Sequence, residues 1–387
     1  MKKVISVLLA IVIAMPFFEV EAFADELSLS AVSAVLIEAE TGTVLYSKNA
    51  DERRAMASTT KIMTAILMIE AGDLDRDFTV DPYAIMVEGT SMGLREGDIV
   101  SRRDLLYGIL LPSGNDAANA AAVSVAGSMS AFVKKMNEKA AALGLANTHF
   151  VTPSGLDANG HYTTALDLAK LTAYAMKNEI FREAVSCKSK QVEFGNPPYK
   201  RTLYNSNKML SRYDGAIGVK TGFTDNARRC LVSAAERDGV TLIAVTLNAG
   251  DDWNDHTKML DRGFAQVKAY PLETGCSTKV SVAGTGRRIG VYADNAELAL
   301  KPDQRQKLER RVLLPRIVYG EVKKGDRLGT IEFFLDGSLV RSVPLYAAES
   351  VAAEDGELNL WQKLLRFFGI YVNVNEAADH WGSAVGF

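Results

Sequence analysis

Cysteine, histidine and tryptophan are all scarce here: the 387 residues hold three, four and three of them. Cys187, Cys230 and Cys276 are too few and too far apart for the disulfide framework of small exported domains. One pair could form, but buried free thiols fit the spacing better. The histidines show no metal-ligand spacing, so neither a metal site nor a cofactor is expected. Charge is nearly balanced, with a formal net of -3, and no basic stripe marks a nucleic-acid partner. Internal repeats and low-complexity tracts are lacking as well.

What is present begins with an export signal. Lys2 and Lys3 precede the apolar stretch Val4 to Phe18, and Ala22-Phe23-Ala24 offers a small-x-small cleavage site. The stretch is shorter than the roughly 20 residues of a spanning helix, so residues 1–24 are read as a signal peptide removed before Asp25. The remainder is 48% hydrophobic across the full chain and long enough for a large core and two domains.

Val32 to Ile37 and Thr43 to Tyr46 alternate as strands about a Thr41-Gly42 turn and form an expected opening hairpin. From Ser58 to Glu70 the residues Ile62, Met63, Ala65, Ile66, Leu67, Met68 and Ile69 are apolar nearly all round, which predicts a buried helix. Between about 100 and 185 the pattern is helical, with Ala117 to Val125, Ser130 to Leu143 and Ala165 to Asn178, the last opened by a capping-box-like Thr164-x-x-Asp167. After a turn-rich stretch around Gly195-Asn196-Pro197-Pro198, strands are expected at Ile217–Lys220, Cys230–Ala235 and Val240–Leu247, the last two joined across Asp238-Gly239. Early and late strands sharing one sheet make residues 25–270 an α/β sandwich with an inserted helical lobe.

Residues 271–346 read as a separate small β-domain, with segments such as Lys279–Val282 and Gly329–Phe334 and an Asp336-Gly337 turn. A linker at 347–359, a helix at 360–373 and a tail at 374–387 follow. In that helix Leu360, Trp361, Leu364, Leu365, Phe367, Phe368, Tyr371 and Val372 share an arc of roughly 160°, with Gln362, Lys363 and Arg366 opposite. Such a stripe usually docks on the protein's own core. Its terminal position after a polar linker and its Trp and Phe content favour a membrane surface.

Three short strings carry the chemistry. Ser58-Thr59-Thr60-Lys61 puts a hydroxyl and an amine at i and i+3 of a helix, within hydrogen-bond reach. A lysine with a lowered pKa can take the serine proton, so Ser58 is the candidate nucleophile and Lys61 its base. Ser113-Gly114-Asn115 follows an apolar run at the start of a helix; Ser113 can relay a proton to a leaving amine, and Asn115 can hold a substrate amide while bonding Lys61. Lys220-Thr221-Gly222 ends a strand: Lys220 and Thr221 can bind a carboxylate, and Gly222 lets a substrate backbone approach the strand edge. Each string alone has an ordinary reading as a helix cap or a charged strand end. All three in this order point to serine acyl transfer.

This triple resembles the signature of penicillin-binding proteins and serine β-lactamases. The longer strings Ala57 to Thr64, Ser113 to Ala118, Gly155-Leu156-Asp157 and His161-Tyr162 resemble the low-molecular-mass D-alanyl-D-alanine carboxypeptidases over essentially the whole chain, and Asp252-Trp253-Asn254-Asp255-His256 looks most like the spore-cortex type of endospore formers. The resemblance implies a penicillin-binding/serine β-lactamase-like fold, an antiparallel sheet flanked by helices. It also implies removal of the terminal D-alanine from peptidoglycan pentapeptide stems, β-lactams as covalent inhibitors, and an oxyanion held by the backbone N–H of Ser58 and one near Thr224. An exported enzyme on the outer face of the cytoplasmic membrane, or at the forespore envelope, fits these expectations.

Two rivals share the motifs. A class A β-lactamase carries a Glu-x-x-Leu-Asn element where this chain has Asn147 to Pro153, and a non-catalytic penicillin sensor or wall-binding module would have lost the nucleophile or base, which are intact. His161 could touch substrate but more often such a histidine packs or caps. Arg228 and Arg229 could attract a carboxylate, though paired arginines are more often solvated.

Overall fold

The computed structural model describes residues 27–352. The expected signal peptide, most of the linker, the amphipathic stripe and the tail lie outside the described residues. Among the described residues no helix is long and apolar enough to cross a membrane.

The catalytic unit is built on one antiparallel sheet in the order Val44–Lys48, Ser33–Glu38, Val240–Ala249, Arg228–Arg237, Ala216–Thr224. The first and last thirds of this unit thus share a sheet, as the pattern predicts. Strand alternation sorts the side chains to two cores: Val35 and Ile37 join a cluster with the helices, while Ala34 and Leu36 join a second cluster on the opposite face. Because both faces are covered, all six residues Ser33–Glu38 are buried. Asp238 and Gly239 take φ of 48° and 74°, the left-handed pair that a two-residue hairpin turn demands.

Helices Lys61–Glu70, Arg102–Leu110, Asn115–Ala126, Met129–Ala142, Ala165–Met176 and Glu179–Ser186 make the lobe on one face. Thr164 caps its helix by accepting from the Asp167 N–H at 3.1 Å, but the Asp167 carboxylate turns to Asn147 N and Thr148 Oγ1 instead of closing a reciprocal box. Two elements exceed the sequence expectation. The supposed turn-rich stretch at Gly195–Pro198 is the tight end of a hairpin, Ser189–Gly195 with Pro198–Tyr204, that joins Asp77–Thr79 and Ile99–Ser101 in a second sheet. Residues Asp252–Gln266 form a helix whose few apolar residues, among them Met259 and Leu260, close the second core. Trp253, Met259, Leu260 and Phe264 recur at helical spacing along it, so the signal is present in the sequence, although three of the positions it buries, Asp252, Asp255 and His256, are polar.

The small β-domain holds a six-stranded sheet in the order Glu309–Leu313, Arg327–Leu335, Ser338–Ala347, Arg288–Tyr292, Lys279–Val282, Ile317–Val318. Its own core includes Val280, Ile289, Ile331, Phe333 and Leu345, and its packing extends to Val351, which bridges to Val322. It touches the catalytic unit at the opening hairpin turn, through an Arg341–Glu40 ion pair and a Gln304 Nε2–Thr43 Oγ1 hydrogen bond of 3.0 Å. The three cysteines are free, Cys230 buried and Cys187 and Cys276 half-buried.

Buried Asp255 fastens the chain's first described residues to this frame. Its carboxylate accepts from Ser30 N at 2.9 Å, Ser30 Oγ at 2.7 Å and Ala31 N at 2.8 Å. Replacing it by alanine removes all three bonds and leaves the buried Ala31 N–H without a partner, and we expect Asp255→Ala to destabilise the catalytic unit by about 2 kcal/mol in urea unfolding. A change within about 0.5 kcal/mol would show that this anchor carries no weight.

Candidate active site

The nucleophile string does not start an α-helix directly. Ala57–Thr60 is a 3-10 turn, and the α-helix begins at Lys61. With three residues per turn, positions i and i+3 eclipse, and Lys61 Nζ comes to 2.8 Å from Ser58 Oγ. Ala57 holds a left-handed φ of 48°, a strained setting for a residue with a side chain. Its carbonyl is gripped in return. Thr60 Oγ1 donates to it at 2.8 Å, and Gly155 lies so close that an added Cβ would sit 2.0 Å from it.

His161 stands behind this turn. Val151 N–H donates to its Nδ1 at 2.9 Å, which leaves the proton on Nε2, facing Thr60 Oγ1 at 2.8 Å. Burial lowers its pKa to about 4, so the ring is neutral at physiological pH. His161 is therefore a support of the nucleophile turn and does not line the cleft.

Lys61 is fully buried. Besides Ser58 Oγ its amine meets Asn115 Oδ1 at 2.7 Å and the Ser154 carbonyl at 2.6 Å. Asn115 is oriented by donating from Nδ2 to Glu88 O at 2.6 Å, so its oxygen faces the lysine. Burial holds the Lys61 pKa well below the ordinary lysine value, the charge of Lys220 pushes it the same way, and Asp116 opposes them. A neutral amine has two N–H bonds and one lone pair. Two of its three partners can only accept, so both N–H bonds go to them and the lone pair faces the Ser58 hydroxyl.

The second motif is tied down by its neighbours. The Asp116 carboxylate accepts from Met92 N, Leu94 N, Gly93 N and Ser91 Oγ, and Asn115 N donates to Thr90 O at 2.7 Å. These bonds clamp residues 90–94 over the helix start. Ser113 sits at φ 68°, and Thr90 Oγ1 donates to its carbonyl at 2.6 Å.

A cleft of about 570 Å³ opens in front of Ser58. Ser113, Asn115, Thr221, Gly222 and Thr224 line it with Ser58, whereas Lys61 and Lys220 lie buried behind it. Lys220 Nζ donates to the Thr221 carbonyl at 2.9 Å, and burial alone lowers its pKa to about 7. Gly222 has a different first duty from the one expected of it: a Cβ there would lie 3.1 Å from the amide nitrogens of both Ser58 and Thr59, so glycine lets the strand press against the nucleophile turn. The Thr224 hydroxyl is engaged with Asp157 Oδ1 and Ala227 N, each at 3.0 Å.

Sequence reasoning missed Ser206, Asp252 and Trp253 as lining residues, and raised Arg229 only beside a solvated reading that the structure overturns for it. Ser206, whose Oγ is 2.9 Å from Thr221 Oγ1, sits in a polar stretch with no local signal. Arg229 lines the cleft with Asp252 and Trp253. Asp252 Oδ1 accepts from its Nε and Nη2 at 3.0 and 2.5 Å, and its guanidinium lies 5.7 Å from the Trp253 ring centroid. The adjacent Arg228 is exposed, as the solvated reading expects. Register alone, pairing Arg229 with Phe223 beside the third motif, separates the two arginines.

Comparison with known proteins bears on this arrangement. Residues 20–251 match the family model described as D-alanyl-D-alanine carboxypeptidase, and residues 265–353 match penicillin-binding protein 5, C-terminal domain. The D-alanyl-D-alanine carboxypeptidase DacF of Bacillus subtilis (strain 168) is 35% identical over 371 residues, which cover 91% of this chain and 95% of the relative. The crystal structure of the Streptomyces K15 DD-transpeptidase superposes with a TM-score of 0.59 at 39% identity, over 62% of this chain and 98% of that one. The D-alanyl-D-alanine carboxypeptidase DacD from Francisella tularensis does so with a TM-score of 0.59 at 25% identity, over 85% and 95%. With the penicillin-binding/β-lactamase-like fold shared and likeness running through both the catalytic unit and the small β-domain, this chain belongs to the D-alanyl-D-alanine carboxypeptidase family.

Proposed function

We propose that the chain is a serine D-alanyl-D-alanine carboxypeptidase that removes the terminal D-alanine from peptidoglycan pentapeptide stems. One observation carries this reading: the buried Lys61 amine has two obligate acceptors and Ser58 Oγ as its three partners. Ser58 Oγ attacks the carbonyl carbon of the penultimate D-alanine as its proton passes to Lys61. The negative oxygen is received by the Ser58 N–H and one on the strand near Thr224, donors worth roughly 3 kcal/mol each. The C–N bond breaks as the leaving amine takes a proton from Lys61 through the Ser113 hydroxyl, and D-alanine departs. Water then splits the ester and restores Ser58.

The leaving carboxylate is received by Thr221 with Ser206, and by Arg229 held in place by Asp252. Lys220 acts from behind, its charge disfavouring protonated Lys61. Asn115 holds the substrate amide. A β-lactam presents the same carbonyl, but its leaving amine stays tethered. Asp252 is the one acidic residue among the described residues lining the cleft, and it is bound to Arg229. No lining carboxylate is thus free to activate water, which favours a long-lived penicilloyl ester over β-lactamase turnover.

The enzyme is further read as exported, with residues 1–24 removed, and as held to the outer face of the membrane by residues 360–373. The supporting features are the small-x-small site after Phe18 and the stripe of Trp361, Phe367 and Phe368 opposite Lys363 and Arg366. A spore-cortex role at the forespore envelope rests on the Asp252 to His256 string.

Labelled penicillin should attach to Ser58, and Ser58→Ala should abolish labelling while leaving the fold intact. Peptide mapping that places the label elsewhere overturns the assignment. Lys61→Ala should slow acylation on the order of a thousandfold, the range of general-base catalysis. Thr221→Ala should weaken initial binding by about tenfold, as for one hydrogen bond to a charged group. Acylation rates measured against ligand concentration separate the two, and equal losses in both parameters would show the roles wrongly divided.

The Lys61 amine must be neutral to act, so acylation should rise with pH through its depressed pKa. Removing the neighbouring positive charge with Lys220→Gln raises that pKa and should move the rise to higher pH. A rise that stays put contradicts the coupling. Finally, mature protein should sediment with liposomes, and a chain ending near residue 357 should stay soluble and active on small peptides. Full-length mature protein that stays free of liposomes rules the membrane helix out.

A further inference from the structure

Beyond Thr221 and Ser206 the cleft does not end. Lys208 lines both the cleft and an adjoining pocket of about 340 Å³, whose other walls include Lys188, Asn205, Asn207 and Arg212. Among the described residues no aspartate or glutamate lines this second pocket. Lys188, Lys208 and Arg212 are exposed and form no ion pair among the described residues. The Arg212 guanidinium lies 6.0 Å from the Trp253 ring centroid, on the same indole that Arg229 approaches.

Exposed cations alone would be a solvated rim. Asn207 makes this place different: it is buried, and its Nδ2 has no hydrogen-bond partner among the described residues. Its Oδ1 accepts from Met209 N at 3.0 Å, which fixes the amide with the nitrogen as the unsatisfied group. The neighbouring Asn205 is fully engaged, accepting from Asn207 N and donating to the carbonyls of Val185 and Cys187. Asn207 is thus held among the residues that line the pocket, with one buried donor unsatisfied beside three cations that form no ion pair among the described residues. An unsatisfied buried donor is costly, and an anionic oxygen is its natural complement.

We propose that this pocket is an anion subsite for the leaving group, accepting the side-chain carboxylate of an acidic D-amino acid in the position that D-alanine occupies in the simple substrate. This rests on the carboxypeptidase reading above. The α-carboxylate stays with Thr221, Ser206 and Arg229, the second carboxylate enters between Asn207, Lys188, Lys208 and Arg212, and the bond cleaved is unchanged. The released product is then a dicarboxylic D-amino acid, free or attached to a second stem.

The test uses mature enzyme and acyl-D-alanyl peptides ending in D-alanine, D-glutamate, D-2-aminoadipate or the neutral isostere D-glutamine. At least one acidic peptide should show a KM about tenfold below that of the D-glutamine peptide, the effect of one hydrogen bond to a charged group. The K188Q/R212Q double variant should lose this preference and keep its rate on the D-alanine peptide. Asn207→Asp, which keeps the acceptor for Met209 N and replaces the donor by a negative charge, should reverse it. Equal KM for acidic and neutral peptides in the unmutated enzyme, or variants that affect all peptides alike, would overturn the subsite while leaving the carboxypeptidase intact. If no peptide is cleaved and Ser58 takes no penicillin, the parent reading fails and the subsite with it.

Discussion

The site depends on a lysine amine taken wholly out of water. Lys61 is buried among Ser58, Asn115 and Ser154, which come from three separate segments of the helical lobe and its loops. Burying a charged ammonium is costly unless it is paired, and here its partners are neutral. The neutral form is favoured instead, and its lone pair has one direction left to point. Lys220, on the sheet side, adds a like charge and strengthens the same tendency. The nucleophile turn and the second motif meet at this amine, and the third-motif strand presses against the same turn at Gly222, which brings sheet and lobe together there.

Strain near the nucleophile is held by rigid neighbours. Ala57 and Ser113 both take left-handed backbone conformations, at φ 48° and 68°, and each costs on the order of 1–3 kcal/mol unless its surroundings dictate it. For Ala57 those surroundings are Thr60, backed by His161, and the close approach of Gly155. For Ser113 they are Thr90 and the residues that Asp116 gathers over the helix start. Both arrangements fix hydroxyl positions before substrate arrives, and preorganisation of this kind lowers the cost of reaching the transition state.

Much of this was legible in the sequence. The residues that the three strings singled out as candidate nucleophile, base and neighbouring strand lie together in the structure, and the alternating segments placed the first and last strands in one sheet. The spacing of Ser58 and Lys61 implied contact, but the 3-10 geometry that produces it has no sequence marker. Lys220 read as a carboxylate ligand because a lysine at a strand end is normally exposed. Its burial behind the strand is decided by packing from distant segments. Ser206 and Asn207 reach the cleft and its extension only through tertiary register, and a polar residue in a polar stretch gives no hint of that, while Arg229 was raised as a carboxylate partner and only the register decides it over Arg228. The helix Asp252–Gln266 is legible in the helical spacing of Trp253, Met259, Leu260 and Phe264, and only the polar character of its other buried positions, Asp252, Asp255 and His256, obscures it.

The central claim is that Lys61 is a neutral amine when Ser58 acts. Titration of the Lys61 side-chain nitrogen by NMR, with lysine labelled at Nζ and the resonance assigned through Lys61→Arg, measures this directly. We expect a pKa well below the ordinary lysine value of 10.5, with the amine neutral over the pH range in which acylation is fast. A Lys61 amine that stays protonated throughout that range would contradict it.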